Sequence, residues 1–336
     1  MESGLIIFDT SQLRTLSPTG PVAAILRRIA DASGLTLAIS SVTEDEYGAH
    51  HFRQFEKKIN SARTFHKELR QEAPDWRPPE FEYPSPVTLI NRHMERVRFM
   101  FEVLPLDGSH AIEALRRESF RRRPASVDPA KKGSGARDVA IWLTAVEQSR
   151  LAGAAVYLVA SDFSAFGENV LHDELTREAA VNNAEVILIT STEDLIAKFA
   201  TRVDVEIDTE SLLGDEAVAL AVSRTMVITS VSAARDTIPV GMGLASGGSS
   251  ELKDLELIKS ERLHAYEVRG ELWIAAQGIW RLRQTMRLVG DQPSAGWEVL
   301  FEQRLTVLIN MYEGDPILKA EVMGWEDGRI LDSRRR

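Results

Sequence analysis

Four acidic residues in this chain, Asp9, Glu46, Asp138 and Asp162, fall where carboxylates can act together. Asp9 follows the apolar run Leu5 to Phe8, and Asp162 follows a second apolar run, Ala154 to Ala160. Glu46, with Glu44 and Asp45 beside it, lies in the helix expected after a third such run, Leu35 to Ile39. Asp138 lies in the first turn of a helix that opens after Gly133, Ser134 and Gly135. In open α/β sheets, ligands bind at the carboxyl edge of the strands. Carboxylates crowded on that edge repel one another unless a divalent cation neutralises them. Oxygen ligands without imidazole suit Mg²⁺ or Mn²⁺. Such ions activate water and stabilise the charge that develops on a phosphodiester. Singly, each acid has a plainer use: Asp9 as a helix cap, Asp138 as partner of the helix dipole, Asp162 as a turn residue. Their joint placement is what points to a site.

The elements that must position them follow a strand–helix rhythm. Leu5 to Phe8 reads as a strand, Pro21 to Ile29 as a helix stopped by Gly34, and Leu35 to Ile39 as a strand. A helix capped by Ser40, Ser41 or Thr43 should come next. This alternation predicts a parallel sheet. From about residue 50 to 132 the rhythm breaks, and the section reads as a helical insertion. It holds a charged helix Phe52 to Glu72, a proline-rich stretch Pro74 to Pro86, and helices Val87 to Leu104 and Ala111 to Phe120. The rhythm then resumes. After the helix with Ile141, Trp142, Ala145 and Val146 on one face comes the buried strand Ala154 to Ala160. A helix Val170 to Ala180, a strand Ala184 to Ile189 and a helix Thr192 to Phe199 with Thr192 as its cap complete it. Beyond the Gly/Ser-rich loop Gly241–Ser250 the segments alternate with period 2. Arg269-Gly270 signals a hairpin, and Trp280 to Leu288, Trp297 to Tyr312 and Ile317 to Trp325 read as strands. The fold class is thus α/β, with residues 1–205 as one domain and 206–336 as a β-rich domain.

The order and setting of the acids resemble the PIN-domain family of metal-dependent ribonucleases. The likeness rests on LIIFDTS with Asp9, on the acidic helix start after the second strand, on GARDVAIW with Asp138 and on VYLVASDFSAFG with Asp162. It covers about Met1 to Val205. The insertion and the run KKGSGARD resemble a PIN-like subfamily. The resemblance implies a three-layer α/β/α fold with a parallel central sheet. It also implies that Asp9, Glu46, Asp138 and Asp162 bind Mg²⁺ or Mn²⁺ and cleave single-stranded RNA. Glu44 competes with Glu46 for its place. Many members carry another acid before the phenylalanine that Phe166 matches. Here that residue is Ala165, which leaves open a non-cleaving RNA-binding or protein-interaction module.

A basic run approaches Asp138: Arg116, Arg117, Arg121, Arg122, Arg123, Lys131, Lys132 and Arg137, opposed by Glu118 and Asp128. It could hold a phosphate backbone or simply be a solvated face. Arg281, Arg283 and Arg287 alternate onto one face of a strand, where a solvent-facing sheet would look the same. His50, four residues beyond Glu46, reads as a surface histidine. Ser11 stands where a phosphatase-type motif starting at Asp9 needs a second aspartate, and Gly133-Ser134-Gly135 lacks the Lys-Ser/Thr of a P-loop.

Composition narrows the rest. The chain has no cysteine, so thiolate metal sites and disulfides are excluded. Its net charge of −10 confines any nucleic-acid contact to a local patch. No signal peptide or membrane span is expected, and the cytoplasm is the default address. An RNA substrate is the expected partner, self-association would run through the C-terminal part, and no antitoxin-like partner can be named.

Overall fold

A computed structural model describes residues 4–72, 84–127, 135–237, 250–286, 297–311, 317–326 and 328–335. In chain order the elements begin with β1 (Leu5–Phe8), α1 (Thr10–Leu13), α2 (Pro21–Ser33), β2 (Thr36–Ser40), α3 (Ser41–Glu72) and α4 (Pro86–Met100). They continue with β3 (Glu102–Leu104), α5 (Gly108–Phe120), α6 (Ala136–Ala152), β4 (Val156–Val159), α7 (Asp173–Val181), β5 (Val186–Ile189) and α8 (Thr192–Phe199). The last are β6 (Thr201–Arg202), α9 (Thr209–Leu213), α10 (Glu216–Thr237), β7 (Ser250–Val268), β8 (Glu271–Met286), β9 (Trp297–Met311), β10 (Ile317–Trp325) and β11 (Arg329–Arg335). Two compact units result: Met1–Leu16 with Ser33–Lys198, and Ser17–Ala32 with Phe199–Arg336.

The first unit is built on a five-stranded sheet in the order β3-β2-β1-β4-β5. All its pairings are parallel. Strands covered on both faces must be apolar throughout, as LIIF, VYLV and VILI are. On one face Ile7, Ala38, Leu158 and Leu188 pack with Ile141, Trp142 and Ala145 of α6 and Leu175 and Ala179 of α7. Ile6, Phe8, Ile39 and Val159 alternate onto the other face and are fully buried. Phe8 meets Phe101 edge-on, with ring centroids 5.3 Å apart. Because β1 lies between β2 and β4, the chain departs from it in both directions along the sheet. A crevice at the carboxyl edge is expected at such a switch point.

The structure corrects the sequence reading in places. Residues 50–132 are not wholly helical: Glu102–Leu104 forms the edge strand β3, paired with Ala38, Ile39 and Ser40 of β2. Helix α4 ends at Met100, and Phe101 is already extended at φ −120° and ψ 137°. The acidic helix start and the Phe52 to Glu72 helix are one 32-residue helix, α3. The cap of α8 is Ser191 rather than Thr192, its hydroxyl accepting from the Asp194 N–H at 3.0 Å. Most of the proline-rich stretch lies outside the described residues.

The second unit holds a sheet in the order β10-β9-β8-β7-β6, with β11 also pairing with β9, and every pairing is antiparallel. The β7–β8 turn is the expected two-residue hairpin: Arg269 and Gly270 both have positive φ, 53° and 80°, as a type I′ turn requires. One face, with Ile274, Ala276, Trp280, Leu282, Phe301, Leu305 and Val307, packs on Leu212 and Leu213 of α9 and Val218, Val222 and Met226 of α10. Ser17–Ala32 also joins this unit. The Arg28 guanidinium lies 4.2 Å from the Trp273 ring centre and pairs with Glu271 at 2.8 Å. Thr306 donates to the Thr19 carbonyl at 2.6 Å. Trp273 and Trp280 are thus core residues.

Between α3 and α4 lies a polar aromatic cluster. The Tyr47 hydroxyl and His93 Nε2 are 3.0 Å apart, and the His51 ring sits 4.4 Å from that of His93 and 4.3 Å from that of Tyr47. Burial, then the charges of His51 and Arg96, lowers the His93 pKa to about 4. Burial lowers that of His51 as well, helped by His50, Arg14 and Lys58. An unfolded histidine titrates near 6.5. Below that pH the unfolded chain binds protons that the folded cluster refuses, so stability falls with pH until both states are protonated, near pH 4. Wild type should therefore lose more urea resistance between pH 7 and 4.5 than His93→Gln does. Parallel pH curves for the two would show that the cluster does not govern acid sensitivity.

Candidate functional site

The sheet brings the ends of β1 and β4 together, and the acids come with them. The Asp9 N–H donates to the Val159 carbonyl at 2.9 Å. The Ser161 N–H donates to the Ser11 hydroxyl at 3.2 Å. Asp9 is only 6% exposed and caps α1, its Oδ2 accepting from the Ser11 N–H at 3.1 Å. The cap and site readings of Asp9 therefore describe one side chain. Burial pushes the Asp9 pKa up, the hydrogen bonds of Ser11 and Thr10 oppose that, and the Glu46 charge adds to it.

Asp138 stands in the first turn of α6, whose start depends on one glycine. Gly135 has φ 111°, and a Cβ there would lie 2.6 Å from the Ala125 Cα. No other residue fits that turn without moving the backbone. The Asp138 pKa is raised to about 7. Burial is the largest cause, followed by the charges of Asp9, Asp162 and Glu46, with Arg137 opposing. Asp138 therefore feels the charges of the other three acids named from sequence, and Asp9 feels that of Glu46.

Glu46 rather than Glu44 belongs to the group. Glu46 accepts from the Thr10 hydroxyl at 2.9 Å and pairs with Arg137 at 2.5 Å and Arg14 at 3.4 Å. Glu44 is turned to α4, where Arg98 holds it at 2.6 Å. Asp162 is exposed, and its Oδ1 closes a turn by accepting from the N–H groups of Ser164 at 2.9 Å and Ala165 at 3.0 Å. Ala165 itself is buried beside Phe166 in the core. Among the described residues, no group of three or more Asp, Glu or His is drawn together tightly enough to hold a metal ion. The two observations are compatible, because Coulomb repulsion acts well beyond the 2–2.6 Å of ligand bonds.

The basic run divides. Arg117 is a correction: at 9% exposure it cannot face a phosphate backbone. It makes two hydrogen bonds to Glu178, at 2.8 and 2.5 Å, and one to Glu113 at 3.0 Å. Trp142 Nε1 donates to the same Glu178 at 2.9 Å. Burial works against the Glu178 charge, but Arg117 and Trp142 outweigh it and hold its pKa below the usual range. The node ties α5, α6 and α7 together. Arg123 is partly buried and donates to the Ser164 carbonyl at 2.6 Å. Arg116, Arg121 and Arg122 are exposed. Arg137 is 63% exposed and bound to Glu46. Lys131 and Lys132 lie outside the described residues. In the second unit, Arg281 pairs with Glu302 at 3.1 Å and Glu256 at 3.8 Å, Arg283 is exposed, and Arg287 lies outside the described residues. His50 meets Gln54 at 2.7 Å.

Sequence reasoning passed over Thr10, Arg14 and Ser164. Thr10 and Arg14 are four apart from α1 onward and reach Glu46 together. The signal was present in the segment DTSQLR. No family model, curated protein or solved structure matches this chain.

Two substitutions check this geometry. A carboxyl group whose folded pKa is raised costs stability as pH climbs from its unfolded value near 4 to its folded value near 7. Asp138→Asn should therefore raise the metal-free melting temperature at pH 8, with the gain vanishing toward pH 4. A melting temperature lowered at pH 8 would contradict the repulsion. Arg117→Ala strands a partly buried Glu178 and should cost about 3 kcal/mol in urea unfolding. A loss below about 0.5 kcal/mol would mark Arg117 as an ordinary surface residue.

Proposed function

We propose that the first unit is a nuclease of the PIN-domain type, dependent on Mg²⁺ or Mn²⁺, that hydrolyses phosphodiester bonds of single-stranded RNA. The observation that supports it most is the coupling of Asp138 to Asp9, Glu46 and Asp162 at the carboxyl edge of a parallel sheet. Such a donor set, all oxygen and mutually repelling, suits a hard divalent cation in chemistry and charge. Asp9, Glu46, Asp138 and Asp162 would hold the ion, which would supply an activated water and charge stabilisation at the phosphate. Asp138 must shed its proton first, so cation affinity should weaken below about pH 7. Glu46 must let go of Arg137 and Arg14, leaving two guanidinium groups beside the site for the substrate backbone.

Those same pairs favour a second reading. Arg137 and Arg14 already neutralise Glu46 in the manner of a built-in cation, and Ala165 stands where an acid is expected. A chain held in that state would bind RNA or a protein without cutting it. Among the described residues no helix is long and apolar enough to cross a membrane.

A labelled single-stranded RNA incubated with the full chain decides between the two. Cleavage should appear with Mn²⁺ or Mg²⁺ and stop with EDTA. Asp138→Asn should lower the rate by more than about 100-fold, since even groups behind a metal ligand cost about 10- to 100-fold when changed. RNA bound but left whole under every divalent ion would support the non-cleaving module. Cleavage unaffected by Asp138→Asn would remove this site from the reaction.

A further inference from the structure

Helix α5 shows water a face that a folded protein normally hides. Ile112, Leu115 and Phe120 are 56%, 61% and 76% exposed, at the spacing of one helix face. Ala114 and Arg117 occupy the inward side. Around the apolar stripe stand Arg116, Arg121 and Arg122, all exposed. The acids of α5 are turned elsewhere: Glu113 pairs with Arg117, and Glu118 accepts from the Ala136 N–H at 3.3 Å. The outward face is therefore apolar and positive.

A second exposed aromatic ring lies on the acid edge. Phe163, 52% exposed, follows Asp162 directly. The hydrogen bond from Arg123 to the Ser164 carbonyl, 2.6 Å long, joins the two segments. It brings the chain three residues beyond Phe120 to the residue after Phe163. Exposed phenylalanines with exposed arginines between them match single-stranded nucleic acid, whose bases offer flat apolar faces and whose backbone offers a charge at every step. A protein partner would need acidic residues around an apolar patch. A duplex would keep its bases out of reach of the rings.

We propose that Phe120 and Phe163 are stacking platforms for unpaired bases, and that Arg116, Arg121 and Arg122 hold the intervening phosphates, forming a single-stranded RNA track that ends at the acidic edge. The track deepens the nuclease reading and rests on it for the identity of the ligand, yet binding can be measured without cleavage.

The test uses the full chain in EDTA and fluorescence anisotropy with two labelled probes, a uridine dodecamer and a dodecamer of equal charge with every base removed. Phe120→Ala and Phe163→Ala should each weaken uridine binding about fivefold or more, as loss of one stacked base does. Neither should alter binding of the base-free probe. Phe163→Trp should restore or strengthen uridine binding. Replacing Arg121 and Arg122 with alanine should weaken both probes and flatten the salt dependence. Three results would overturn the track: alanine variants that bind uridine as wild type does, equal losses on both probes, or a change of oligomeric state in Phe120→Ala, which would show that a second copy covers the stripe. If binding depends on the rings but no divalent ion supports cleavage, the track stands and the hydrolytic reading falls.

Discussion

Like charges held in a dry place are the constraint on which the first unit turns. The hydrogen bonds that align the ends of β1 and β4 also carry Asp9 and Asp162 to one edge. Gly135 then fixes where α6 starts, and with it the position of Asp138. The repulsion is absorbed locally. Asp9 accepts from the first turn of α1, the Asp138 pKa rises to about 7, and Arg14 and Arg137 lean on Glu46. A scaffold that tolerates such a cluster must be firm elsewhere. The apolar strands and the Arg117–Glu178–Trp142 node supply that firmness on the α6 and α7 side.

Much of this was legible from the residues. The strands β1, β4 and β5 are short apolar runs bounded by polar residues, and nothing else such runs could be fits between the helices. The Arg269-Gly270 turn announced its hairpin because so few residue pairs accept two positive φ angles. Asp9, Asp138 and Asp162 could be placed because strand ends and helix starts are local features. What could not be read depends on partners far along the chain. Glu44 and Glu46 are two apart on a helix and so point about 200° away from each other. Only the packing of α1 and α4 decides which faces the acids. Arg116 and Arg117 are neighbours with opposite fates for the same reason. β3 was hidden because Phe101 to Leu104 continues the apolar spacing of α4. α10 was missed because its valines, isoleucine and threonines favour strands, and tertiary packing overrides that preference.

The second unit obeys a different economy of charge. Its sheet is apolar where α9 and α10 cover it, and elsewhere carries cross-strand ion pairs. Arg304 reaches Glu261 at 2.8 Å and Glu326 at 2.9 Å, and Arg329 reaches Glu302 at 2.6 Å. These two cations are matched with acids from other parts of the unit. Arg116, Arg121 and Arg122 are exposed, while Glu113 pairs with Arg117 and Glu118 accepts from the Ala136 N–H. Net charge alone, at −10, conceals this contrast.

The membership of Ser17–Ala32 in the second unit has a consequence for how the chain is made. These residues follow β1 and α1, yet Arg28 waits for Glu271, 243 positions later, and Thr19 waits for Thr306, 287 positions later. The partners of α2 in this unit do not exist until most of the polypeptide has been synthesised. Domains usually mature in order from the amino terminus. Here α2 belongs to a unit whose other elements are made later, so in an unfinished chain Arg28 and Thr19 lack these partners. Loop closure over such spans slows the last step of assembly.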